Sequence, residues 1–349
     1  MAMAWIGQRF AGMAVIMTVL CTRNLLTNAP PLQRLDSELL NVTTMTLDEK
    51  VAYVRDLDDL SRPDRQAKFL EIITSTTFSD LVQLRNALDD KLVPTSRILS
   101  PAMLDRVVAH IHAQLASHNR RSIKVLSDID DTLFPSLNDQ SFPGVAVYPG
   151  IRMFYFSFHG CLPMWNNVAF LTARPDDFNR LFIWWTKFQL LEKGFPNITV
   201  IAATSIAWTN GGKARGKFRN YMAYKQFYPD YEFVLIGDSG EGDVQFMRQV
   251  LKEPNHQVAL SLIHDVVDKH NNPKTSPKRR KELRDQGIFV FDNYLEASIE
   301  AFLAGLIGAQ DLAHARESFN MDLNTMQFYN RGERKSWRKP NSHPILLQN

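Results

Sequence analysis

The chain has 349 residues, of which 45% are hydrophobic and 22% charged, and its formal net charge is +3. This composition is typical of a globular protein with one large and one smaller domain, and the charge excess is too small to indicate nucleic-acid binding. The two cysteines, Cys21 and Cys161, form no CxxC pair, so neither a disulfide framework nor a zinc site is indicated, and a reducing compartment is expected.

Residues 1–35 are predicted to be a leader. They contain an apolar stretch of twelve residues, Phe10–Cys21, which Arg9 precedes. Such a stretch is too short to span a bilayer but long enough for the apolar part of a signal peptide. A targeting or anchor segment, a loosely packed first helix and a disordered leader are therefore all open interpretations. We expect a cytoplasmic protein, with peripheral attachment to membranes as the alternative.

Residues 36–119 are predicted to form a helical region. The run Thr46-Leu47-Asp48-Glu49 has the pattern of a capping box, and apolar residues come after it at helical spacing. Ser100 and Pro101 predict a further helix start, because serine caps helices and proline is favoured at the first helical position. No chemically active residues gather here, so the region is expected to be a platform that packs on the remainder of the chain.

From residue 120 the pattern changes to that of an α/β domain, predicted to extend to residue 307. Short apolar runs alternate with helical patterns, which predicts a Rossmann-like, mainly parallel sheet. The six predicted strands are Ile123–Leu126, Val168–Leu171, Ile198–Ala202, Phe233–Ile236, Val258–Ile263 and Ile288–Phe291. A basic loop is expected between Asp268 and Gln286, and residues 308–349 are expected to form a C-terminal helix and a basic tail.

Polar residues follow three of the predicted strands. Asp128, Asp130 and Thr132 come after the first strand, and Thr172 and Arg174 come after the second. The fourth strand leads into Gly237-Asp238-Ser239-Gly240-Glu241-Gly242-Asp243. Ligands of open parallel sheets bind beyond the carboxyl ends of the strands, where these side chains meet. Crowded carboxylates repel one another unless a cation is present, and oxygen ligands favour a hard ion such as Mg²⁺.

Two alternative interpretations of these motifs are weaker. In an EF-hand that begins at Asp128, position six would be Leu133 instead of the required glycine. In a phosphate-binding P-loop formed by Gly211–Lys217, the next residue would carry a metal-binding hydroxyl, but it is Phe218. Neither motif therefore explains the acidic cluster.

The cluster resembles the signature of the haloacid-dehalogenase phosphatases: a strand running into DxDxT, a strand ending in Ser/Thr, a lysine, and GDxxxxD. Residues 121–307 resemble more closely the catalytic domain of the actin-patch-type phosphatidate phosphatases. That likeness is carried by SDIDDT, Tyr148-Pro149-Gly150, Gly194-Phe195-Pro196, Gly237-Asp238-Ser239-Gly240-Glu241, Lys278-Arg279-Arg280 and Val290-Phe291-Asp292. In that family the lysine lies about eleven positions before a Tyr/Phe-Pro pair, and Tyr228-Pro229 therefore places it at Lys217. The chain departs from the best-known members, which read Ser-x-Ser-Pro-Trp, at Leu171-Thr172-Ala173-Arg174-Pro175, and this bears on the substrate more than on the chemistry.

The resemblance implies a Mg²⁺-dependent phosphatase. Asp128 is then the nucleophile that forms an aspartyl-phosphate, and Asp130 is the acid toward the leaving oxygen and the base toward water. The metal ligands are Asp128, the main-chain carbonyl of Asp130, and Asp238. Asp243 either acts on the metal through water or orients Lys217.

The resemblance also implies roles for the remaining polar residues of this edge. Lys217 and Thr172 hold phosphate oxygens. Asp131 is expected to be a local cap. Arg174 either contacts the substrate or forms a salt bridge at the start of a helix.

The spacing of the motifs bears on the substrate. Only 39 residues separate Thr132 from Thr172, and 44 separate Thr172 from Lys217, which leaves room for a flap but not for a folded cap domain. An open site suits phosphatidate or a similar phospholipid at a membrane surface, and no nucleic-acid partner is expected. The alternatives are another phosphomonoester, in a protein or a soluble metabolite, and an inactive binding or scaffold protein. The basic stretches Lys278–Lys281 and Arg331–Lys339 either contact an anionic surface or are solvated.

Overall fold

The structure is a computed structural model that describes residues 41–56, 62–115, 122–136, 138–139, 142–143, 146–158, 166–175, 181–196, 198–203, 209–240, 242–267 and 273–326. The apolar stretch Phe10–Cys21 and the basic stretch Arg331–Lys339 lie outside these residues, and the predictions about them stay predictions. The chain divides into two compact units, Met1–Met45 and Thr46–Asn349. The described part of the first unit contains a 3-10 turn, Val42–Thr44, which the preceding asparagine caps.

The second unit begins with helices whose starts the sequence predicts. In the capping box, Thr46 N donates to Glu49 Oε2 at 2.7 Å and Glu49 N donates to Thr46 Oγ1 at 3.3 Å. Met103 N donates to Ser100 Oγ at 3.4 Å, so both predicted starts are confirmed. The helices of this region are α1 (Leu47–Asp56), α2 (Pro63–Thr74), α3 (Phe78–Ala87), α4 (Asp89–Ser96) and α5 (Pro101–Leu115).

The rest of the second unit is built on a six-stranded parallel sheet, as the sequence predicts. Its strands are β1 (Ser122–Ser127), β2 (Val168–Pro175), β3 (Thr199–Ala203), β4 (Tyr231–Asp238), β5 (Val258–His264) and β6 (Ile288–Phe291). They lie in the order β3-β2-β1-β4-β5-β6, which is the Rossmann order. The order reverses between β1 and β4, and this is where such folds bind ligands.

Helices connect the strands and cover the sheet. They are α6 (Ile151–Phe156), α7 (Leu181–Glu192), α8 (Asn210–Lys225), α9 (Asp243–Leu251), α10 (Pro277–Arg284), α11 (Tyr294–Leu303) and α12 (Ala309–Thr325). Consecutive residues of β3 and β4 are buried, so both faces of the sheet are covered. Within the ranges that the structure describes, no helix has both the length and the apolar character needed to cross a bilayer.

Two predicted boundaries are wrong. The segment expected as a basic loop between Asp268 and Gln286 contains α10, and Ser276 caps this helix by accepting from Arg279 N at 3.3 Å. Leu283 is the one residue of α10 that is buried, so the sequence of this helix has no apolar periodicity that would predict it. Strand β2 continues to Pro175, so Thr172 and Arg174 lie within it and not beyond it.

The segment Gly211–Lys217 belongs to the first two turns of α8, which Thr209 caps by accepting from Gly212 N at 3.1 Å. A P-loop is a loop that precedes its helix, so the structure agrees with the rejection of that motif.

Buried ion pairs join the helical region to the amino ends of the central strands. Arg85 of α3 donates to both carboxylate oxygens of Asp230, which precedes β4, at 2.6 and 2.9 Å. Lys124 of β1 donates to Asp89 of α4 at 3.0 Å. All four side chains are largely inaccessible to solvent. Helices α3 and α4 are thus joined to the sheet by charge.

Candidate active site

The acidic residues lie where β1 and β4 end. Asp128 follows β1 directly, Asp238 is the last residue of β4, and the two strands are neighbours in the sheet. Asp128 N donates to the carbonyl of Ile236 at 2.8 Å, which fixes the main chain of the first loop against β4. The predicted meeting of these two motifs at one edge of the sheet is therefore observed.

A third carboxylate joins them from the start of α9. Oxygens of Asp128, Asp238 and Asp243 lie within 4.8 Å of one another, and all three residues are buried. Asp238 N donates to Asp243 Oδ2 at 3.2 Å. A Cβ at Gly237 would lie 2.5 Å from Asp243 Cβ, so this close approach requires glycine.

Lys217 supplies the positive charge of the cluster. It projects from α8, and its Nζ lies 2.8 Å from Asp128 Oδ1 and also donates to Asp243 Oδ1. Burial alone would lower the pKa of Lys217, but the two carboxylates beside it raise that pKa above its usual range. Lys217 therefore stays protonated, and its contact with Asp243 favours the expectation that Asp243 orients it.

The charges of the cluster do not balance. Burial raises the pKa of Asp128 to about 7, with Lys217 opposing this effect and repulsion from Asp243 adding to it. Burial, together with repulsion from Asp243 and Asp128, also raises the pKa of Asp238 well above its usual range. Asp238 Oδ2 is buried and has no hydrogen-bond partner among the residues that the structure describes. An orphaned carboxylate oxygen among carboxylates is where a hard cation fits.

The side chain of Asp130 binds different partners, Arg174 and Ser136, from those of the acidic cluster. Arg174 donates to its two carboxylate oxygens through Nη2 at 2.7 Å and Nε at 2.9 Å, and Ser136 Oγ donates at 2.7 Å. Burial would raise the pKa of Asp130, but Arg174 and Ser136 lower it. Of the two interpretations of Arg174, the salt bridge is observed, although within a strand and not at the start of a helix.

The structure bears out the expectation that Asp131 is a local cap. Its carboxylate accepts from the main-chain nitrogens of Ser136 at 2.8 Å, Asn138 at 2.6 Å and Asp139 at 3.2 Å. Its φ of 58° is in the left-handed region, which aspartate tolerates better than most residues. Asp131 shapes the loop that carries Asp130.

Two threonines complete this edge of the sheet. Thr172 is buried, and its Oγ1 accepts from Arg174 N at 3.1 Å. The hydroxyl of Thr132 is buried without a hydrogen-bond partner. The hydroxyl of Thr172 is still free to donate, which a phosphate-binding residue requires.

Several contributors are not apparent from the sequence. Ser136 lies in a loop of no recognisable motif, and Thr186 and Gln189 reach Arg174 from α7. A Cβ placed on Gly240 would lie 2.8 Å from Lys274 Nζ and 2.9 Å from Asp238 Oδ1. Since both atoms surround the same point, Lys274 lies beside the acidic cluster. The one available signal was position, since Lys274 follows β5 and the carboxyl ends of parallel strands share an edge.

Comparison of the chain with protein-family models, with curated proteins and with solved structures gave no match.

Proposed function

We propose that the chain is a Mg²⁺-dependent phosphatase of the haloacid-dehalogenase type that works through an aspartyl-phosphate on Asp128. The observation that carries the proposal is a buried carboxylate held against a buried ammonium: Asp128 Oδ1 lies 2.8 Å from Lys217 Nζ at the point where the strand order reverses. A carboxylate that attacks a phosphate needs positive charge at hand, because nucleophile and substrate are both anions.

The residues of the chain divide the reaction between them. Asp128 attacks the phosphorus, and the P–O ester bond breaks with its electron pair on the leaving oxygen. Asp130, which Arg174 and Ser136 hold as a carboxylate in the free chain, must first take up a proton from solvent, and it passes this proton to the leaving oxygen. Asp130 then takes a proton from the water that hydrolyses the aspartyl-phosphate. Lys217, held by Asp243, and Thr172 bind the phosphate oxygens.

The donor set fits Mg²⁺. Asp128, Asp238 and Asp243 offer only oxygens, and within the described part of the chain the Oδ2 of Asp238 has no hydrogen-bond partner that would compete with a cation. The main-chain carbonyl of Asp130 is the further ligand that the family resemblance implies. When bound, the ion offsets the negative charge of the nucleophile and the phosphate.

We infer that the substrate is phosphatidate or a similar phospholipid. Among the described residues, the connections after β1, β2 and β3 carry only α6, α7 and α8, which supports an open edge. The start of helix α10 lies near the same edge, because its Arg280 donates to Asp265, which follows β5, and to Asp292, which follows β6. Lys278 and Lys281 of this helix are exposed. An anionic membrane surface attracts each such cation by about 1 kcal/mol.

The direct test is phosphate release from a panel of phosphorylated lipids, sugars and peptides, in Mg²⁺ and in chelator. We expect phosphate to be released from phosphatidate in the presence of Mg²⁺ and not in the presence of chelator. Asp128→Asn should lower kcat by several orders of magnitude without unfolding the chain, whereas Asp105→Asn, at an exposed position, should leave it unchanged. Preferential release from a sugar or peptide would replace the lipid assignment, and near-normal turnover by Asp128→Asn would refute the mechanism.

The lipid assignment has a second test in vesicle sedimentation. Because exposed charges are screened by salt, binding to anionic vesicles should be strong at low salt and weak at high salt. It should also weaken when Lys278 and Lys281 are both changed to alanine, while turnover of a soluble short-chain substrate stays the same. Equal binding to neutral and anionic vesicles would contradict the attraction by charge.

A further inference from the structure

We propose that Arg174 is a positioning residue that holds the Asp130 carboxylate for proton transfer, and that α7 holds Arg174 in turn. This inference rests on the proposed function, because it takes Asp130 as the group that protonates the leaving oxygen. It goes beyond that function in naming the residues on which the orientation of Asp130 depends.

Arg174 and Asp130 form a two-point contact. Arg174 Nη2 and Nε each donate to a different oxygen of Asp130, at 2.7 and 2.9 Å. A two-point contact of this kind fixes the plane of a carboxylate, which a single hydrogen bond leaves free to turn. Ser136 Oγ donates to Asp130 Oδ1 at 2.7 Å and restricts the carboxylate further.

Arg174 has little hydrogen-bonding capacity left for a substrate. Its Nη1 donates to Thr186 Oγ1 at 3.1 Å and to Gln189 Oε1 at 3.0 Å. Four of its five N–H groups thus have acceptors within the protein. Thr186 and Gln189 are three positions apart and lie on the same face of α7, so one helix face binds the guanidinium at two points.

The two aspartates of the DxD motif pair with different cations. Asp128 has Lys217 as its cation, and Asp130 has Arg174. Lys217 also contacts Asp243, and Arg174 is anchored to α7, so neither cation can change partner without losing other contacts. The nucleophile and the proton donor are therefore oriented independently.

The test uses the dependence of the reaction on the leaving group. An alkyl phosphate needs a proton on its leaving oxygen, whereas p-nitrophenyl phosphate releases a stable anion and needs none. The ratio kcat/KM reports on the steps up to departure of the leaving group, so it isolates this proton transfer. Asp130→Asn sets the scale, since loss of a general acid costs about 10²–10⁴-fold on the alkyl ester.

We expect Arg174→Gln to lower kcat/KM by about 10²-fold for the alkyl phosphate and by less than about 10-fold for p-nitrophenyl phosphate. Arg174→Lys should recover little, because an ammonium cannot make the two-point contact. Added guanidinium should partly restore the alkyl-phosphate reaction of Arg174→Ala. Arg152→Gln, which removes an exposed arginine bonded to the Lys193 carbonyl, should change neither reaction.

The α7 residues give a test that does not require removal of the arginine. Thr186→Val and Gln189→Leu should produce the same leaving-group pattern with smaller losses. Equal losses on the two phosphates in folded Arg174 and α7 variants would overturn the proposal. If the wild-type chain hydrolyses both esters and only Asp130→Asn discriminates between them, this inference alone fails. If the wild-type chain hydrolyses neither ester, the proposed function fails with it.

Discussion

The buried ion pair between Asp89 and Lys124 provides the sharpest test of how the fold is held together. Asp89 Oδ2 accepts from Lys124 Nζ at 3.0 Å, and Asp89 Oδ1 accepts from Tyr224 OH at 2.6 Å and from Tyr228 OH. The Lys124 side chain is fully buried, with its Nζ 4.4 Å from the centre of the Tyr228 ring. Burial lowers the pKa of Lys124, and Asp89 opposes that shift.

The change Asp89→Asn removes the charge that offsets the buried lysine while keeping the size of the side chain. Removal of one partner from a buried pair costs about 3–5 kcal/mol, because the other charge is left uncompensated. The total stability of a domain is about 5–15 kcal/mol, so a large share of it is lost. We expect this loss in the free energy of unfolding measured in urea.

The neighbouring Asp90 provides a matched control. It pairs with Lys187 at 2.9 Å, but the lysine side chain is 38% exposed. Such a pair contributes about 0–1 kcal/mol, so Asp90→Asn should change little. In the Asp89→Asn background, Lys124→Met should recover part of the loss by removing the orphaned charge. If the free energy of unfolding of Asp89→Asn lies within about 1 kcal/mol of that of the wild-type chain, the predicted cost of the orphaned lysine is wrong.

Two further predictions concern the acidic cluster. Gly237→Ala should raise the Mg²⁺ concentration needed for half-maximal activity, because the added Cβ displaces Asp243. Gly216→Ala, whose Cβ would have no described atom within 4 Å, should instead stabilise α8 by about 1 kcal/mol. If the two variants shift the Mg²⁺ titration equally and the urea melt equally, this reasoning is wrong. In chelator, Asp238 should contribute a fall in the free energy of unfolding as pH rises above about 4, because burial raises its pKa and the folded chain then binds more protons at this site than the unfolded one, whereas Asp130, whose pKa is lowered, contributes in the opposite direction. Asp238→Ala should flatten this slope and weaken the Mg²⁺ dependence of activity, and an unchanged slope together with an unchanged Mg²⁺ requirement would count against both assignments.

The sheet and the acidic edge could be predicted because their signals are local. A parallel strand buried on both faces is an apolar run, and each of the six runs became a strand. Asp128 and Asp238 could be placed together because the carboxyl ends of parallel strands share one edge. The sequence supplies both facts without any knowledge of tertiary contacts.

The partners of the charged residues could not be predicted in the same way. Arg174 and Asp130 are 44 positions apart, and Lys124 and Asp89 are 35 apart. Their pairing depends on strand register and on how α4 and α7 dock, which no periodicity encodes. The register of β2 against β3 shifts between Leu171 and Pro175, in the stretch that carries Arg174. Helix α10 was missed for another reason, since a polar helix with one buried leucine has no apolar stripe.

Strand β1 shows how the fold accommodates an unbalanced site. Near its amino end, Lys124 is matched by the carboxylate of Asp89. Just beyond its carboxyl end Asp128 shares Lys217 with Asp243, and no described residue forms an ion pair with Asp238 or a hydrogen bond with its Oδ2. Removal of a charge should therefore have opposite effects at the two ends. At the amino end it leaves an orphaned ion and lowers stability, whereas at the carboxyl end it relieves repulsion in the metal-free chain. Charges at both ends of the strand therefore affect stability, whereas only those at the carboxyl end affect the affinity for a metal.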